Sequence, residues 1–317
     1  MQLHLRIAVY HGGVFWRECW KSVKENLDLF DGIYVSFNLY DGVEDDIAVM
    51  QDVQSDKIHW RRQEEFLSAE AHGRVIDAWL RGFNLTGHIL ILCHDDILSR
   101  EGLLELKSLN LNENDAVFCG ALFFSEEGGR KPIIIHELSS NTRFYTPPDI
   151  FISTWDSKSL NVSRSVIPAV AFQPKVMPWH CLEYGCFAEL LYLCTPFTKK
   201  IYQTNAPAVK IRIHSGSETR ATPQDLYLFD NILLRHYMFS IFPQRDVKLK
   251  MASDLGYLLR EHPQMGVCYW LRGQFRLLSV KHYRAFTGLI VLWYFVLILL
   301  GKINRCTNST IQEGHTI

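Results

Sequence analysis

Two adjacent aspartates and a histidine follow a continuous apolar run in this sequence. The run 88–93 reads HILILC and predicts a buried strand, and His94, Asp95 and Asp96 come directly after it. Carboxylates at the end of a buried strand are unfavourable unless they bind a cation or hydrogen-bond donors. A divalent ion that bridges two phosphates would satisfy them, because Mg²⁺ and Mn²⁺ prefer oxygen ligands. The alternative is that Asp96 only caps a helix that begins near Ser99.

Two further polar residues have the chemistry to act beside such a cation. His214 follows a predicted strand and precedes Ser-Gly-Ser, a combination that suits a phosphate or metal contact. The alternative at His214 is an exposed Gly-Ser turn without a ligand. Glu189 opens a predicted apolar helix and could serve as a general base that removes a hydroxyl proton. The alternative at Glu189 is the ordinary preference of a carboxylate for a helix N-terminus.

The elements that must position these residues alternate along the first two thirds of the chain. Apolar runs predict strands at 5–10, 33–37, 57–60, 88–93 and 115–124. Helical spacing predicts helices within 15–27, 47–53, 75–82 and 103–106. Later segments predict strands at 166–172, 199–203 and 209–213, and helices at 224–239 and 249–261. Strands that alternate with helices predict an α/β, doubly wound and mostly parallel sheet, which binds ligands at the carboxyl ends of its strands.

Composition excludes several classes of protein. The 317 residues are 48% hydrophobic and 21% charged, which excludes a disordered chain. The net charge of −1 excludes a broad basic surface for nucleic acid. The eight cysteines form no CxxC pair and match no zinc module, so we expect reduced thiols in a reducing compartment. We expect no signal peptide, because the apolar run 3–10 is too short for one.

One segment near the C-terminus indicates a membrane. The run 285–301 has 17 residues without a charge, between Arg284 and Lys302. Roughly 17 residues is the lower limit for a helix that spans a bilayer. Trp293 and Tyr294 fall in its middle, which favours a helix in the interface or against protein over a spanning one. We expect the chain to associate with the cytoplasmic face of a membrane, as a peripheral protein or through a single C-terminal anchor.

The order of these motifs over 3–219 resembles the family 2 glycosyltransferases of the GT-A fold, particularly the rhamnosyltransferase-like and lipopolysaccharide-type members. The resemblance implies a GT-A catalytic domain at 1–221. The residues that follow predict a helical extension at 222–284, the apolar membrane-associating helix at 285–301 and a polar tail at 302–317. The resemblance also implies an inverting, hexosyltransferase-type enzyme. Such an enzyme moves a sugar from a nucleotide-diphosphate sugar to an acceptor hydroxyl, in cell-surface polysaccharide or glycolipid assembly.

The resemblance also assigns a metal to the polar residues. In that family an acidic motif at a strand end binds the donor diphosphate through a divalent ion, Mn²⁺ or Mg²⁺. Carried onto this sequence, the metal ligands are Asp96 and His214, and Asp95 contacts the donor. The sequence departs from the pattern at His94, which stands where the first aspartate is common.

The base and the donor site follow from the same resemblance. Glu189 takes the place of the catalytic base, with Glu183 as the second choice, although Ala188 replaces the acid that usually precedes the base. The donor nucleotide is assigned to residues after the first two strands and on the third helix, namely Tyr10, His11, Asn38, Asp41 and Arg74. The QxxRW motif of processive synthases is absent, which favours addition of a single sugar.

Two other functions stay open on the sequence alone. A nucleotidyltransferase would need a basic, glycine-rich loop after the first strand, whereas Gly12 and Gly13 are followed by Val-Phe-Trp. A membrane partner protein that keeps the fold but has lost activity would explain His94 and Ala188. The expected partners are a nucleotide-sugar donor, a sugar or lipid-linked saccharide acceptor and a membrane surface, without nucleic acid, and oligomer formation stays open.

Overall fold

A computed structural model describes residues 1–125, 133–134, 144–145, 165–169 and 198–214. The chain divides into two compact units, Met1–Asp230 and Asn231–Ile317, and all described residues lie in the first. The predictions for Glu183, Glu189 and the segments 222–284, 285–301 and 302–317 fall outside the described residues. Within the described ranges, no helix combines the length and the apolar character needed to cross a membrane.

Strands and helices alternate through the described residues as the apolar pattern predicts. The first strands are β1 (Leu3–Val9), β2 (Gly32–Phe37), β3 (Ile58–Arg62), β4 (His88–Cys93) and β5 (Ile97–Leu98). The later strands are β6 (Ala116–Ser125), β7 (Ile133–Ile134), β8 (Phe144–Tyr145), β9 (Ser165–Pro168) and β10 (Ile201–Ile213). The helices are α1 (Gly13–Glu25), α2 (Val43–Met50), α3 (Ala69–Arg81) and α4 (Arg100–Ser108), with a 3₁₀ turn at Leu27–Leu29.

All ten strands belong to one sheet, whose main order is β3-β2-β1-β4-β9-β6-β10-β5. The six strands β1, β2, β3, β4, β6 and β10 run in the same direction, since β9 is antiparallel to both β4 and β6. β5 runs antiparallel to β10, while β7 and β8 add short antiparallel pairs. The predicted α/β, doubly wound and mostly parallel sheet is confirmed.

The direction of winding reverses between β1 and β4. From β1 the chain proceeds outward to β2 and β3, and then returns to the other side of β1 with β4. In the register of the sheet, Ala8 pairs with Cys93 and Val9 pairs with Phe37. The carboxyl ends of β1, β2 and β4 therefore lie side by side, at the point where open α/β sheets bind their ligands.

The two faces of β1 explain how the helices attach to the sheet. Alternate residues face the main core with no exposed surface, namely Leu3, Leu5, Ile7 and Val9. Trp16 and Trp20 of α1 belong to the same core. On the opposite face, the guanidinium of Arg6 pairs with Asp77 of α3, with Nε 3.4 Å from Oδ1. One apolar face and one paired polar face hold helices on both sides of the strand.

Two strands differ from the sequence prediction. The separate strands predicted at 199–203 and 209–213 form one strand, β10, whose register with β6 shifts on either side of Pro207. Proline donates no ladder hydrogen bond, so a local irregularity takes the place of the predicted break. β9 ends at Pro168, earlier than the predicted 166–172.

A buried polar chain links β2, β3 and α3. Ser36 Oγ accepts a hydrogen bond from Gln63 Nε2 at 2.8 Å and lies 2.9 Å from His72 Nε2. Because the Ser36 oxygen already accepts from Gln63, its own proton is placed to donate to His72. Burial, followed by the nearby Arg6 guanidinium, lowers the pKa of His72 from 6.5 to about 3. His72 is therefore neutral in the folded chain.

This depressed pKa makes folding sensitive to acid. Below pH 6.5 the unfolded chain takes up a proton at His72, whereas the folded chain does so only near pH 3. The free energy of unfolding should therefore fall as the pH is lowered, by up to about 1.4 kcal/mol per pH unit for this group. Urea titrations measure this free energy. Between pH 7 and pH 5, the free energy of unfolding of His72→Asn should fall by about 2 kcal/mol less than that of the original chain. The exposed His11→Asn is the control, and an equal pH slope in all three proteins would contradict the expectation.

Candidate active site at the carboxyl edge of the sheet

The residues 93–96, here called the acidic turn, join β4 to β5. The backbone N–H of Asp96 donates to the carbonyl of Cys93 at 3.2 Å and closes the turn. β5 then runs antiparallel to β10, with Ile97 opposite Lys210. Because β5 runs backward along β10, the acidic turn lies opposite the last residues of β10. Tertiary pairing thus joins two segments that are more than a hundred residues apart.

The structure brings two predicted site residues into direct contact. His214 Nε2 lies 3.0 Å from Asp95 Oδ2, and the side chains are 19% and 17% exposed. The ring of Phe15 packs against the imidazole at 4.7 Å between centroids. Both side chains keep an accessible edge, as a ligand-binding pair requires. The Ser-Gly-Ser sequence that follows His214, on which the alternative of an exposed turn depends, lies outside the described residues.

Asp96 is placed differently from Asp95. Its side chain is almost fully buried, and Oδ1 accepts the backbone N–H of Arg212 at 3.1 Å. α4 begins at Arg100, its N-cap residue is Ser99 rather than Asp96, and the Ser99 side chain makes no capping hydrogen bond. The interpretation of Asp96 as a helix cap is therefore wrong. Asp96 instead ties the acidic turn to β10.

Arg212 is a central residue of the site that the sequence analysis missed. Its Nε donates to the carbonyl of Asp95 at 3.0 Å, and its Nη2 pairs with the carboxylate of Glu18. The guanidinium lies between two rings, 4.6 Å from the centre of Phe15 and 4.7 Å from that of Phe124. The available signal was a charged residue within the apolar strand that precedes His214. Arg212 fixes both the backbone of the acidic turn and its distance from α1.

Side chains on one face of α1 make hydrogen bonds to the backbone at the start of the acidic turn and just beyond its end. Cys19 Sγ donates to the carbonyl of Cys93 at 3.7 Å, and Ser22 Oγ accepts the N–H of Leu98 at 3.0 Å. Burial, and then the nearby carboxylate of Asp96, raises the pKa of the Cys19 thiol well above its usual range. Cys19 is therefore a neutral packing residue that positions the end of β4.

The acidic turn presents a donor set that fits a divalent cation. Cys93 Sγ and carboxylate oxygens of Asp95 and Asp96 lie within 4.8 Å of one another. His214 contacts one member of this group, with 3.0 Å between its Nε2 and Asp95 Oδ2, but is not itself one of the three grouped residues. Carboxylate, imidazole and thiol groups are all ligands of first-row divalent metals.

His94, the residue that departs from the family pattern, stays neutral. Burial lowers its pKa, and this effect outweighs the nearby Asp95 carboxylate and a hydrogen bond with the backbone of Ala8. It belongs to the acidic turn and lies next to the end of β1, where Ala8 and Cys93 are register partners. His94 therefore adds no positive charge to the site in neutral solution.

An exposed group of rings, here called the aromatic cluster, lies after β1, β2 and β3. It consists of Tyr10, His11, Tyr40 and Phe66. The Tyr10 ring lies 4.4 Å from that of His11 and 5.6 Å from that of Phe66, between centroids. Tyr10 is 39% exposed and Phe66 is 59% exposed. Apolar faces of this size at the open edge of a sheet suit the stacking of a planar ligand.

Asp46 anchors the aromatic cluster to the start of α1. Its carboxylate accepts the N–H of Gly13 at 3.1 Å and the hydroxyl of Tyr40 at 2.6 Å. Burial and this hydrogen bond raise the pKa of Tyr40, which therefore stays a neutral donor. A side chain at Gly12 would lie 2.5 Å from Trp16 Cβ, so the turn needs glycine there. Spacing within the sequence gave no sign that Asp46 has this role.

The other predicted donor residues occupy different environments. Asn38 is buried, and its amide donates to the Leu67 carbonyl at 2.7 Å and accepts the Leu67 N–H at 3.0 Å. These bonds give Asn38 a structural role, because they hold the segment that carries Phe66 in place. Asp41 is exposed before α2, and Arg74 is exposed on α3.

No protein-family model and no curated protein sequence matches the chain. Solved structures do match it. The crystal structure of GalNAc-T7 with UDP, GalNAc and Mn²⁺ covers 94% of this chain, with a TM-score of 0.55 and 10% identity. S. aureus TarS covers 89% of it, with a TM-score of 0.47 and 13% identity. The mannosyltransferase PcManGT from Pyrobaculum calidifontis, in complex with GDP-Man and Mn²⁺, covers 95%, with a TM-score of 0.47 and 12% identity.

These matches differ in how much of the other protein they include. The chain spans 54% of TarS and 58% of GalNAc-T7, but 88% of PcManGT. The match to GalNAc-T7, with a TM-score of 0.55 at 10% identity, is a likeness of fold alone. The chain therefore has the GT-A fold, as its sequence predicts.

Proposed function

We propose that this protein is a glycosyltransferase that moves a sugar from a nucleoside-diphosphate sugar to an acceptor hydroxyl. The observation that carries the proposal is the Asp95–His214 pair, with 3.0 Å between Nε2 and Oδ2, at the winding reversal of the sheet. The aromatic cluster lies at the same carboxyl edge. A polar pair for a cation and diphosphate, beside rings for a nucleobase, is the combination that a nucleotide-sugar donor requires.

The cation is assigned to Asp95 and His214, with Asp96 as a support. The sequence assignment gave Asp96 as the ligand, but its Oδ1 is held by the Arg212 amide and its side chain is buried. Asp95 retains exposed surface and faces the imidazole. A divalent cation bound there would neutralise charge on the diphosphate leaving group. GalNAc-T7 contains UDP and Mn²⁺ in its crystal structure, which supports the choice of ligand class.

The nucleobase is assigned to the aromatic cluster. Tyr10 and His11 were predicted to flank it, and the structure adds Tyr40 and Phe66 beside them. Asp46 fixes the Tyr40 hydroxyl and the start of α1, so this surface is preformed. A preformed stacking surface lowers the entropy lost when a donor binds.

The acceptor side of the proposal rests on the sequence. Glu189 is proposed as the general base, with Glu183 as the second choice, and a base opposite the donor would give inversion at the anomeric carbon. The uncharged run 285–301 supports a lipid-linked saccharide acceptor at the cytoplasmic face of a membrane. Cell-surface polysaccharide or glycolipid assembly is the process that such an acceptor suggests.

The nucleotidyltransferase alternative is disfavoured by the start of α1. A triphosphate in that position would need the free N–H groups of a glycine-rich turn. Here the Gly13 N–H donates to the carboxylate of Asp46. A negative charge therefore already occupies the place that the triphosphate would need.

The proposal is tested by binding and turnover of the full chain. Fluorescent UDP and GDP should bind in the presence of a divalent cation and bind more weakly after chelation. A panel of nucleotide sugars should then identify one that the protein hydrolyses slowly without acceptor. Failure of every nucleoside diphosphate to bind, with or without cation, would exclude the proposed function.

Truncation of Phe66 should weaken the binding of the donor nucleotide. Phe66→Ala removes an exposed ring that no core packing requires, so the protein should stay folded. Loss of one base–aromatic stack costs roughly 1–3 kcal/mol, or about 5-fold to 150-fold in the dissociation constant. Titration with fluorescent nucleoside diphosphate measures this change.

The matched control for this substitution is Phe83→Ala. Phe83 is 36% exposed and packs on Tyr34, 4.8 Å away, outside the aromatic cluster. Its truncation should leave nucleotide affinity unchanged. Equal affinities for Phe66→Ala and the original chain would remove the aromatic cluster from the binding site.

A further inference from the structure

The donor set of the acidic turn includes a thiol, which sets it apart from an all-oxygen site. Cys93 Sγ lies within 4.8 Å of ligand atoms of Asp95 and Asp96. Cys93 is the last residue of β4, at the carboxyl edge of the sheet, and is half-buried. The group therefore offers one sulfur donor beside carboxylate oxygens, and the imidazole of His214 contacts Asp95 at its side.

Hydrogen bonds and strand pairing fix the backbone of Cys93, from which the thiol extends. The Cys93 carbonyl accepts hydrogen bonds from the Asp96 N–H at 3.2 Å and from Cys19 Sγ at 3.7 Å. The register of the sheet also pairs Cys93 with Ala8. The sulfur of Cys19 is directed at that carbonyl from the buried side, whereas the sulfur of Cys93 lies in the group with Asp95 and Asp96.

We propose that Cys93 is a direct ligand of the cation, and that the site consequently prefers a thiophilic divalent ion, such as Zn²⁺, Co²⁺ or Cd²⁺, over Mg²⁺. Thiolates select softer metals, whereas carboxylates and water suit Mg²⁺. The bond that forms is between Sγ and the metal, and the thiol proton leaves to solvent. This inference rests on the proposed function for the presence of a cation, and it changes which cation the protein uses.

The test follows the sulfur–metal bond rather than enzyme activity. The full chain, reduced and stripped of metal, is titrated with Co²⁺ while the near-ultraviolet absorption is recorded. The original chain should show a thiolate-to-cobalt charge-transfer band that Cys93→Ser lacks. Cys119→Ala removes a buried thiol of β6 and should keep the band. An equally intense band in Cys93→Ser would overturn the proposal.

A second measurement needs no variant. Cd²⁺ should slow the alkylation of Cys93 in the original chain, as peptide mapping by mass spectrometry would detect, whereas Mg²⁺ at equal concentration should not. This result decides the matter even where Cys93→Ser folds poorly. Unchanged alkylation of Cys93 at saturating Cd²⁺ would also overturn the proposal.

A further variant measures the preference of the site for Zn²⁺ over Mg²⁺. Cys93→Asp should shift the ratio of Zn²⁺ to Mg²⁺ affinity toward Mg²⁺ by about tenfold or more, since even outer-shell changes typically alter metal affinity by roughly 10-fold to 100-fold. An unchanged ratio would count against a sulfur ligand.

Failure of this inference and failure of the proposed function are distinguishable. If nucleoside diphosphate binding depends on a cation but neither the band nor the protection involves Cys93, the function stands and the thiol is not a ligand. If no nucleotide binds with any cation, the proposed function fails. The cobalt band and the alkylation rate then still report whether Cys93 binds metal.

Discussion

Asp95→Asn should abolish cation-dependent binding of the donor nucleotide and, with it, sugar transfer. The substitution removes the charge of the carboxylate that faces His214, while it keeps the size of the side chain. Loss of a direct ligand should weaken binding of a nucleoside diphosphate with metal by roughly 100-fold or more, beyond the effect of outer-shell changes. Weak binding without metal should persist, because the aromatic cluster is intact. Calorimetric titration with and without a divalent cation measures both quantities.

The matched control is Asp96→Asn. Asparagine keeps an oxygen that can accept the Arg212 N–H, so the support for the acidic turn should survive. We therefore expect Asp96→Asn to retain most of the cation-dependent affinity. If instead Asp96→Asn loses it and Asp95→Asn does not, the ligand is Asp96, as the sequence resemblance assigned it, and the structural assignment is wrong.

Arg212→Met should both destabilise the fold and impair donor binding. The substitution fills part of the space between Phe15 and Phe124 but removes the bond to the Asp95 carbonyl. Loss of the buried hydrogen bonds and of the contacts with two rings should lower the free energy of unfolding by about 3 kcal/mol. Nucleotide affinity should also fall, because the backbone of the acidic turn loses its support.

Glu18→Gln provides the comparison for Arg212. The Glu18 side chain is 43% exposed but that of Arg212 is fully buried, so loss of the Glu18 charge should destabilise the fold, though by less than loss of the guanidinium and its hydrogen bonds. Arg212→Lys keeps a positive charge without the planar fork and should fall between the two. Denaturant titration of the three variants ranks their free energies of unfolding. Equal stability of Arg212→Met and the original chain would show that the guanidinium does not hold the site together.

Local pattern in the sequence determined the elements and the class of fold. The apolar run at 88–93 can only be buried, and the helical spacing of Phe15, Cys19 and Val23 requires one apolar helix face. Because strands and helices alternate, the sheet was predicted to be mainly parallel, with a ligand expected at its carboxyl edge. These features depend on residues close together in the chain, which is why the acidic turn was found.

The roles within the site depended on contacts between distant residues. Asp95 and Asp96 are neighbours with the same charge, and only the antiparallel pairing of β5 with β10 turns one toward His214 and the other toward the Arg212 amide. In the same way, the assignment of Asn38 to the nucleotide did not foresee its bonds to Leu67.

The sequence by itself therefore determined the α/β class and the mostly parallel sheet, and it predicted candidate polar residues at the carboxyl edge of that sheet. The tertiary structure decided which carboxylate faces the open site, and it added Arg212, Asp46 and Phe66. The physical reason is how far apart along the chain the interacting residues are. Burial and periodicity are set by neighbours in the chain, whereas the direction of a polar side chain is set by the partner that packing brings to it.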